Sequence, residues 1–88
     1  MSRYIEFKSD NSNNIINCIT ANRSGSIFAV GFQNGLVRTY ITETCTEFNC
    51  FEPFARDKKY SEVISLDTLE DYLLAMDHNG TISIITRM

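Results

Sequence analysis

Short runs in which apolar and polar residues alternate fill most of the chain, and turn-forming residues separate these runs. A period of two is typical of half-buried β-strands. The run Ile27–Phe32 is apolar almost throughout and contains Gly31, which predicts a strand buried on both faces with one close backbone approach. The whole pattern predicts eight short strands, at residues 3–8, 15–21, 27–32, 36–41, 46–51, 62–69, 72–77 and 81–86.

Two Asn-Gly dipeptides, Asn34-Gly35 and Asn79-Gly80, each join a pair of predicted strands. Asn-Gly between alternating runs is typical of a β-hairpin closed by a type I′ turn. The dipeptides are 45 positions apart, so the chain contains one unit twice. The same offset aligns further pairs: Ile19 with Ile64, Thr20 with Ser65, Asn22 with Asp67 and Phe28 with Leu73.

The length of the repeat predicts the architecture. A unit of about 40 to 45 residues with four strands is the pattern of one β-propeller blade. We therefore predict a single all-β unit at residues 1–88, with a first repeat at residues 1–44 and a second at residues 45–88. An eight-stranded barrel or sandwich built from the same hairpins is the alternative.

The first repeat resembles a degenerate WD40 repeat over residues 16–41. Ser24-Gly25 lies at the family's first turn, and Asn34-Gly35 lies at its Asp-Gly turn. Tyr40 stands where the family most often has the Trp of its Trp-Asp motif. The resemblance implies two four-stranded antiparallel blades of an incomplete propeller.

The second repeat is less similar, with Glu70 in place of the turn glycine and Ile85 in place of the Trp. Neither copy has the Gly-His or Trp-Asp pair, so the hydrogen-bonded tetrad of typical blades cannot form. Residues 3–8 would be the outermost strand of a preceding blade. A closed propeller needs at least about four blades, and two leave edges and apolar faces uncovered. We predict that the chain is a fragment, associates with other copies through edge strands, or is completed by another chain.

Composition and charge limit the partners and the cellular location that we expect. The formal net charge of −3, from 8 basic and 11 acidic residues, gives no general attraction to phosphate backbones, so nucleic acid is not an expected partner. The amino terminus lacks the apolar stretch of a secretory signal, and no apolar run approaches the roughly 18 residues of a membrane span. We predict a soluble, cytoplasmic protein.

The sequence contains few residues that could form a catalytic or metal-binding site. The single histidine, His78, and the three cysteines show no metal-ligand spacing, so we predict no metal site and no cofactor. We expect reduced thiols, with Cys18 and Cys50 packed in strands. No catalytic motif is present, so we predict that the chain is not an enzyme unless missing blades supply an active site. Asp67 or Asp71 as half of a calcium or acid–base pair is a minor alternative.

The best candidate for binding is a loop at residues 53–60, which holds the only concentrated basic charge. Its candidate partner-binding residues are Phe54, Arg56, Lys58, Lys59 and Tyr60. In a blade this loop lies at the same end as the Asn-Gly turns, together with residues 9–14. Loops on a rigid sheet scaffold commonly carry binding residues. The alternative is a solvated connector whose aromatic residues pack into the core.

These features favour a non-catalytic protein-interaction scaffold whose partners are other proteins, further blades or other copies. Degenerate blades also open many scaffold subunits, so the resemblance implies a multi-subunit complex, for example one in membrane trafficking. The alternative is a propeller segment that binds phosphoinositides or an anionic membrane through Arg56, Lys58 and Lys59. The paired-arginine motif of the phosphoinositide-binding propellers is absent.

Overall fold

The computed structural model describes residues 15–54 and 61–87, which form seven β-strands. In chain order these are β1 (Ile16–Ala21), β2 (Ile27–Phe32), β3 (Val37–Ile41), β4 (Thr46–Phe51), β5 (Val63–Leu69), β6 (Tyr72–Asp77) and β7 (Ile82–Ile85). Each of these seven strands begins and ends within one residue of the bounds predicted for it. The strand predicted at residues 3–8 lies outside the described residues.

The strands form two antiparallel sheets. The first sheet has the order β1-β2-β3-β4, and the second has the order β5-β6-β7 within the described residues. The predicted all-β fold with blade-like antiparallel sheets is confirmed. The first sheet extends to residue 51, whereas the predicted repeat boundary lies between residues 44 and 45. The division into sequence repeats stays a prediction.

Both Asn-Gly dipeptides lie in hairpin turns, but the predicted type I′ geometry is wrong. A type I′ turn needs positive φ at both central residues, whereas only Gly35 (φ 92°) and Gly80 (φ 84°) have it here. The Gly35 N–H donates to the Phe32 carbonyl at 3.1 Å, and the Phe32 N–H donates to the Leu36 carbonyl at 2.9 Å. The second hairpin has the same two bonds. Each is a three-residue loop in which a type I turn is followed by a left-handed glycine.

The alignment of the two units also changes in β5. Ala29 of β2 pairs with Thr20, but Leu74, its equivalent in β6, pairs with Asp67. Thr20 therefore corresponds to Asp67, and the predicted alignment with Ser65 is wrong by two positions. Because an even shift keeps every side chain on its own face, the two sheets still present equivalent faces.

The difference in turn length explains this shift. In the first sheet the Asn22 N–H donates to the Ile27 carbonyl at 2.9 Å across residues 23–26. Only residues 70–71 separate the equivalent positions in the second sheet. Glu70 takes a left-handed conformation there, with φ 54°.

The main core lies between the two sheets. Its buried side chains are Ala29, Val37, Phe54, Val63, Leu73 and Ala75. Gly31 is buried at this interface, where an added Cβ would lie 2.6 Å from both Cys18 Sγ and Val63 Cγ1. The predicted close approach at Gly31 is confirmed, and it is an approach of the second sheet to β2.

Hydrogen bonds fix the contact between β1 and β5 at both ends. The Asn17 side-chain amide donates to the Val63 carbonyl at 2.9 Å and to Glu62 Oε1 at 2.7 Å. At the other end, the Thr68 hydroxyl donates to the Ala21 carbonyl at 3.1 Å. The two sheets therefore meet along these strands in a defined register.

The opposite face of the first sheet carries a second buried cluster. Its most buried side chains are Val30, Phe32 and Tyr40, which are at most 6% exposed. The Tyr40 ring stacks on the Phe28 ring with the centroids 5.3 Å apart. The Arg38 guanidinium lies 5.5 Å from the centre of the Phe32 ring. Tyr40 thus packs as a core aromatic at the position where the resemblance places a Trp.

The three cysteines are free thiols. Cys18 is half-buried, and burial raises the pKa of its thiol against the opposing effect of a backbone hydrogen bond from Gly31. Cys50 is exposed, so the prediction that it is packed is wrong. It lies on β4, the edge strand of the first sheet, and five of the six residues of this strand are exposed.

Candidate protein-binding surfaces

One end of the two sheets gathers the turns that the sequence predicted to lie together. The Gln33 N–H donates to the Ile15 carbonyl at 2.9 Å, which holds the start of β1 beside the first hairpin. We use "loop end" for the described residues at this end: Gln33–Gly35, Glu52–Phe54, Ser61–Glu62 and His78–Gly80. The predicted members at residues 9–14 and 55–60 lie outside the described residues.

Hydrogen bonds tie the second hairpin to the segment that precedes β5. The His78 N–H donates to the Glu62 carbonyl at 3.2 Å, and the Asn79 side-chain amide donates to Ser61 Oγ at 3.3 Å. Glu62 also accepts the bond from Asn17 of β1. The loop end is therefore held by bonds between separate segments and not by one loop alone.

Asp77 stabilises the second hairpin by accepting hydrogen bonds from the backbone of the turn. Its Oδ1 accepts the backbone N–H groups of Asn79 at 3.0 Å and Thr81 at 2.8 Å, and the residue is 4% exposed. Burial raises the pKa of Asp77, but those two donors, the Ser61 side chain and the nearby His78 outweigh it and hold the pKa below its ordinary value. Asp77 is thus an ionised residue that stabilises the turn.

The side chains of the two predicted turn asparagines, Asn34 and Asn79, make different hydrogen bonds at the loop end. Asn34 Oδ1 accepts the Leu36 N–H at 3.1 Å, so this side chain stabilises its own turn. Asn79 instead points its amide towards Ser61. Both asparagines are exposed and can contact a partner.

The structure describes one of the five predicted partner-binding residues. Phe54 is 5% exposed and packs in the core between the sheets, so its ring is not part of the surface. Arg56, Lys58, Lys59 and Tyr60 lie outside the described residues. Their role in partner binding stays a prediction.

The end opposite the loop end forms a shallow polar cleft. Its lining residues are Asn22, Glu70, Asp71, Thr86 and Arg87, which include no histidine or cysteine. In residues 15–54 and 61–87, no group of three or more His, Cys, Asp or Glu side chains could hold a metal ion. The same ranges contain no helix with the length and apolar character needed to cross a membrane.

A second candidate surface is the face of the second sheet that points away from the first sheet. Leu74 pairs with Ile84, and Met76 pairs with Ile82, so these four side chains share that face. Ile82 and Ile84 are each 63% exposed, whereas Leu74 and Met76 are half-buried. We call these four residues the outer patch. An exposed apolar patch on a folded domain commonly marks an interaction site.

Sequence reasoning predicted uncovered apolar faces but named no residues for them. The signal is present in β6 and β7, where apolar residues occupy both alternate sets of positions. Such strands have two apolar faces, and the first sheet covers only one of them. Strand pairing shows which residues share a face, and the packing of the two sheets shows which face is uncovered.

The chain matches no protein-family model and no curated protein sequence. Two solved structures match its fold. One is the crystal structure of a mitotic checkpoint complex, with a TM-score of 0.73 and 21% identity over 86% of this chain. Another is the crystal structure of Raptor from Chaetomium thermophilum, with a TM-score of 0.69 and 24% identity over 88% of this chain.

The chain spans 22% and 8% of the lengths of these two matched chains. At these identities the likeness concerns the fold. Together with the blade-like antiparallel sheets, it shows that the chain has the fold of β-propeller blades. The alternative of a barrel or sandwich is wrong.

Proposed function

We propose that the chain is a non-catalytic protein-interaction scaffold that binds partner proteins through its loop end. The observation that carries this proposal is the set of hydrogen bonds at one end of the sheets. These bonds join the second hairpin and β1 to the segment before β5, and they join the first hairpin to the start of β1. Loops positioned by a rigid scaffold are where binding residues concentrate. Because the loop end is already ordered, a partner would meet a smaller entropic cost on binding.

The exposed side chains of the loop end can form hydrogen bonds with a polypeptide partner. Gln33, Asn34 and Asn79 present amide groups, and His78 presents an imidazole. Amides donate and accept hydrogen bonds, as peptide groups of a partner do. The similarity to a chain of a mitotic checkpoint complex, which is a protein assembly, supports a protein as the partner class.

Site-specific photo-cross-linking tests the proposal. A photoreactive amino acid replaces Asn34 or His78, and the full chain is expressed in the cells that produce it. The control carries the same amino acid at Arg23, an exposed turn residue of the opposite end. We expect discrete protein adducts from the two loop-end positions and not from the control. An equal adduct pattern at all three positions, or no adduct at any of them, would contradict the proposal.

The identity of the adducts would also test the finer suggestion of a membrane-trafficking complex. Liposome flotation tests the lipid-binding alternative, which depends on Arg56, Lys58 and Lys59. Flotation that requires anionic lipid and weakens with salt would favour the membrane reading. Flotation that is absent, together with loop-end protein adducts, supports the scaffold.

A further inference from the structure

Each of the two Asn-Gly turns contains a side chain and a backbone nitrogen that can react with each other. The peptide nitrogen of the glycine attacks the side-chain carbonyl carbon of the asparagine, and a succinimide ring forms. The glycine N–H proton leaves with the side-chain NH2 group as ammonia. Water then opens the ring and gives aspartate or isoaspartate. Glycine favours this deamidation because it has no side chain to crowd the attacking nitrogen.

The backbone of the two turns is nearly the same. Gly35 N–H donates to the Phe32 carbonyl and Gly80 N–H to the Asp77 carbonyl, each at 3.1 Å. Both asparagines are exposed, whereas Gly35 is buried and Gly80 is exposed. Because each N–H must first leave its carbonyl before the nitrogen can attack, the burial of Gly35 in the closed turn has a smaller effect than the side-chain contacts.

The first hairpin holds its asparagine in a position that favours the reaction. Asn34 Oδ1 accepts the Leu36 N–H at 3.1 Å, a bond that spans Gly35. This bond keeps the side-chain carbonyl beside the Gly35 peptide, and such proximity lowers the barrier to attack. Oδ1 is also the atom on which negative charge develops when the nitrogen attacks. A backbone N–H directed at that atom stabilises the charge, as the donors of an oxyanion hole do.

The second hairpin uses different partners for the same groups. The Thr81 N–H, which is the equivalent of the Leu36 N–H, donates to Asp77 Oδ1 at 2.8 Å and not to Asn79. The Asn79 side-chain amide donates to Ser61 Oγ at 3.3 Å. The nitrogen that would leave as ammonia is therefore bound to a neighbouring segment, and no backbone donor of this turn activates the Asn79 carbonyl in the way that Leu36 activates that of Asn34.

Charge acts in the same direction. Asp77 is ionised, and its carboxylate accepts two backbone N–H groups of the second turn. A negative charge at this place opposes the negative charge that develops during attack by the Gly80 nitrogen. The first hairpin has the apolar Phe32 at the equivalent position, so it lacks this opposition.

We infer that Asn34 is a site of spontaneous deamidation in the folded chain, and that the contacts of the second hairpin protect Asn79 from the same reaction. The product replaces an amide, which donates and accepts hydrogen bonds, with a carboxylate, which only accepts them. It therefore adds a negative charge to the loop end. The inference concerns the covalent chemistry of one turn and does not depend on the presence of a partner.

Peptide mapping measures both reactions in one sample. The full chain is incubated in mildly alkaline buffer, digested with trypsin and analysed by mass spectrometry at successive times. Trypsin cleaves after Arg and Lys, so Asn34 lies in the peptide of residues 24–38 and Asn79 in the peptide of residues 60–87. Each peptide contains a single asparagine. Deamidation increases the mass of the peptide, and fragmentation assigns the increase to the asparagine.

We expect Asn34 to deamidate about 10-fold faster than Asn79 in the folded chain, which corresponds to about 1.4 kcal/mol in the activation free energy. In guanidinium chloride the two rates should become similar, because both residues are then asparagines before glycine in an unfolded chain. Equal rates in the folded chain, or a faster reaction at Asn79, would overturn the inference. So would a preference for Asn34 that persists unchanged in the unfolded chain, since the fold would then not be its cause.

Two substitutions test the protection of Asn79. Ser61→Ala removes the acceptor of its amide, and Asp77→Asn removes the charge; each should raise the rate at Asn79 and leave that at Asn34 unchanged. Ser24→Ala removes a hydroxyl from an exposed turn of the opposite end and should change neither rate. No increase at Asn79 in either variant would show that these contacts do not protect it. The cross-links at the loop end do not depend on these rates, so the two proposals can fail separately.

Discussion

Glu70 has a backbone conformation that suits glycine better than any residue with a side chain. Its φ is 54°, and it stands where the first repeat has Gly25 with φ 78°. A left-handed conformation costs an L-residue about 1–2 kcal/mol, while glycine loses about 0.5–1 kcal/mol in chain entropy. We expect Glu70→Gly to raise the free energy of unfolding by roughly 0.5–1 kcal/mol, measured by urea denaturation.

Glu70→Ala is the matched control for this substitution, since it removes the carboxylate and keeps the Cβ. We expect Glu70→Ala to raise the free energy of unfolding much less than Glu70→Gly does. An equal gain in both variants would show that charge relief beside Asp71, and not backbone strain, is the cause.

Asp77 links stability to pH. Its pKa is lower in the folded chain than in the unfolded chain, so its stabilising effect is fully present above the unfolded pKa of about 3.9. The effect is lost as the pH falls through the folded pKa. We expect the free energy of unfolding to decrease on acidification below about pH 4, and Asp77→Asn to reduce this decrease.

Denaturation curves measured from pH 7 to pH 2 provide the test. Asp71→Asn removes an equal charge from an exposed turn and serves as the control for net charge. If Asp77→Asn and Asp71→Asn change the pH dependence equally, the buried turn is not its source.

The contact between β2 and the second sheet depends on Gly31. An alanine here would place its Cβ 2.6 Å from Cys18 Sγ and from Val63 Cγ1, so the sheets must separate or the side chains must move. We expect Gly31→Ala to destabilise the chain by about 1–3 kcal/mol, measured by urea denaturation. Adding Val63→Ala should recover part of that loss. Two effects that simply add would contradict a direct contact.

The strands were predictable because each depends on local alternation and on turn residues. The run Ile27–Phe32 and Gly31 even indicated burial on both faces and a close approach. The turn type was not predictable from Asn-Gly alone, because a two-residue and a three-residue loop use the same dipeptide. The loop length depends on pairing across the hairpin, where Phe32 bonds to Leu36.

Two further features could be found only from the three-dimensional structure: the alignment of β5 with β1, and the position of the outer patch. A constant offset cannot show that residues 70–71 form a shorter turn than residues 23–26. The sequence shows that Ile82 and Ile84 share a face, but only packing shows which face is covered. Phe54 follows the alternative given for its loop, because its aromatic side chain packs in the core and not at the surface.

The core between the two sheets should make them unfold together. Phe54 comes from the segment after the first sheet and packs with side chains of both sheets. Truncating a buried Phe costs about 3–5 kcal/mol, which is a large part of the roughly 5–10 kcal/mol expected for a domain of this size. We expect Phe54→Ala to lower the stability of β2 and of β6 by the same amount. Amide exchange of the two strands as a function of urea measures both stabilities.

Phe48, which is 51% exposed on β4, provides a matched control for this experiment. Phe48→Ala removes the same atoms from a residue that contributes little buried area, so it should cost less than about 1 kcal/mol. A loss confined to β6 in Phe54→Ala would mean that the first sheet is stable without the second. Equal losses in β2 and β6 would instead show that the inter-sheet core is the unit of stability.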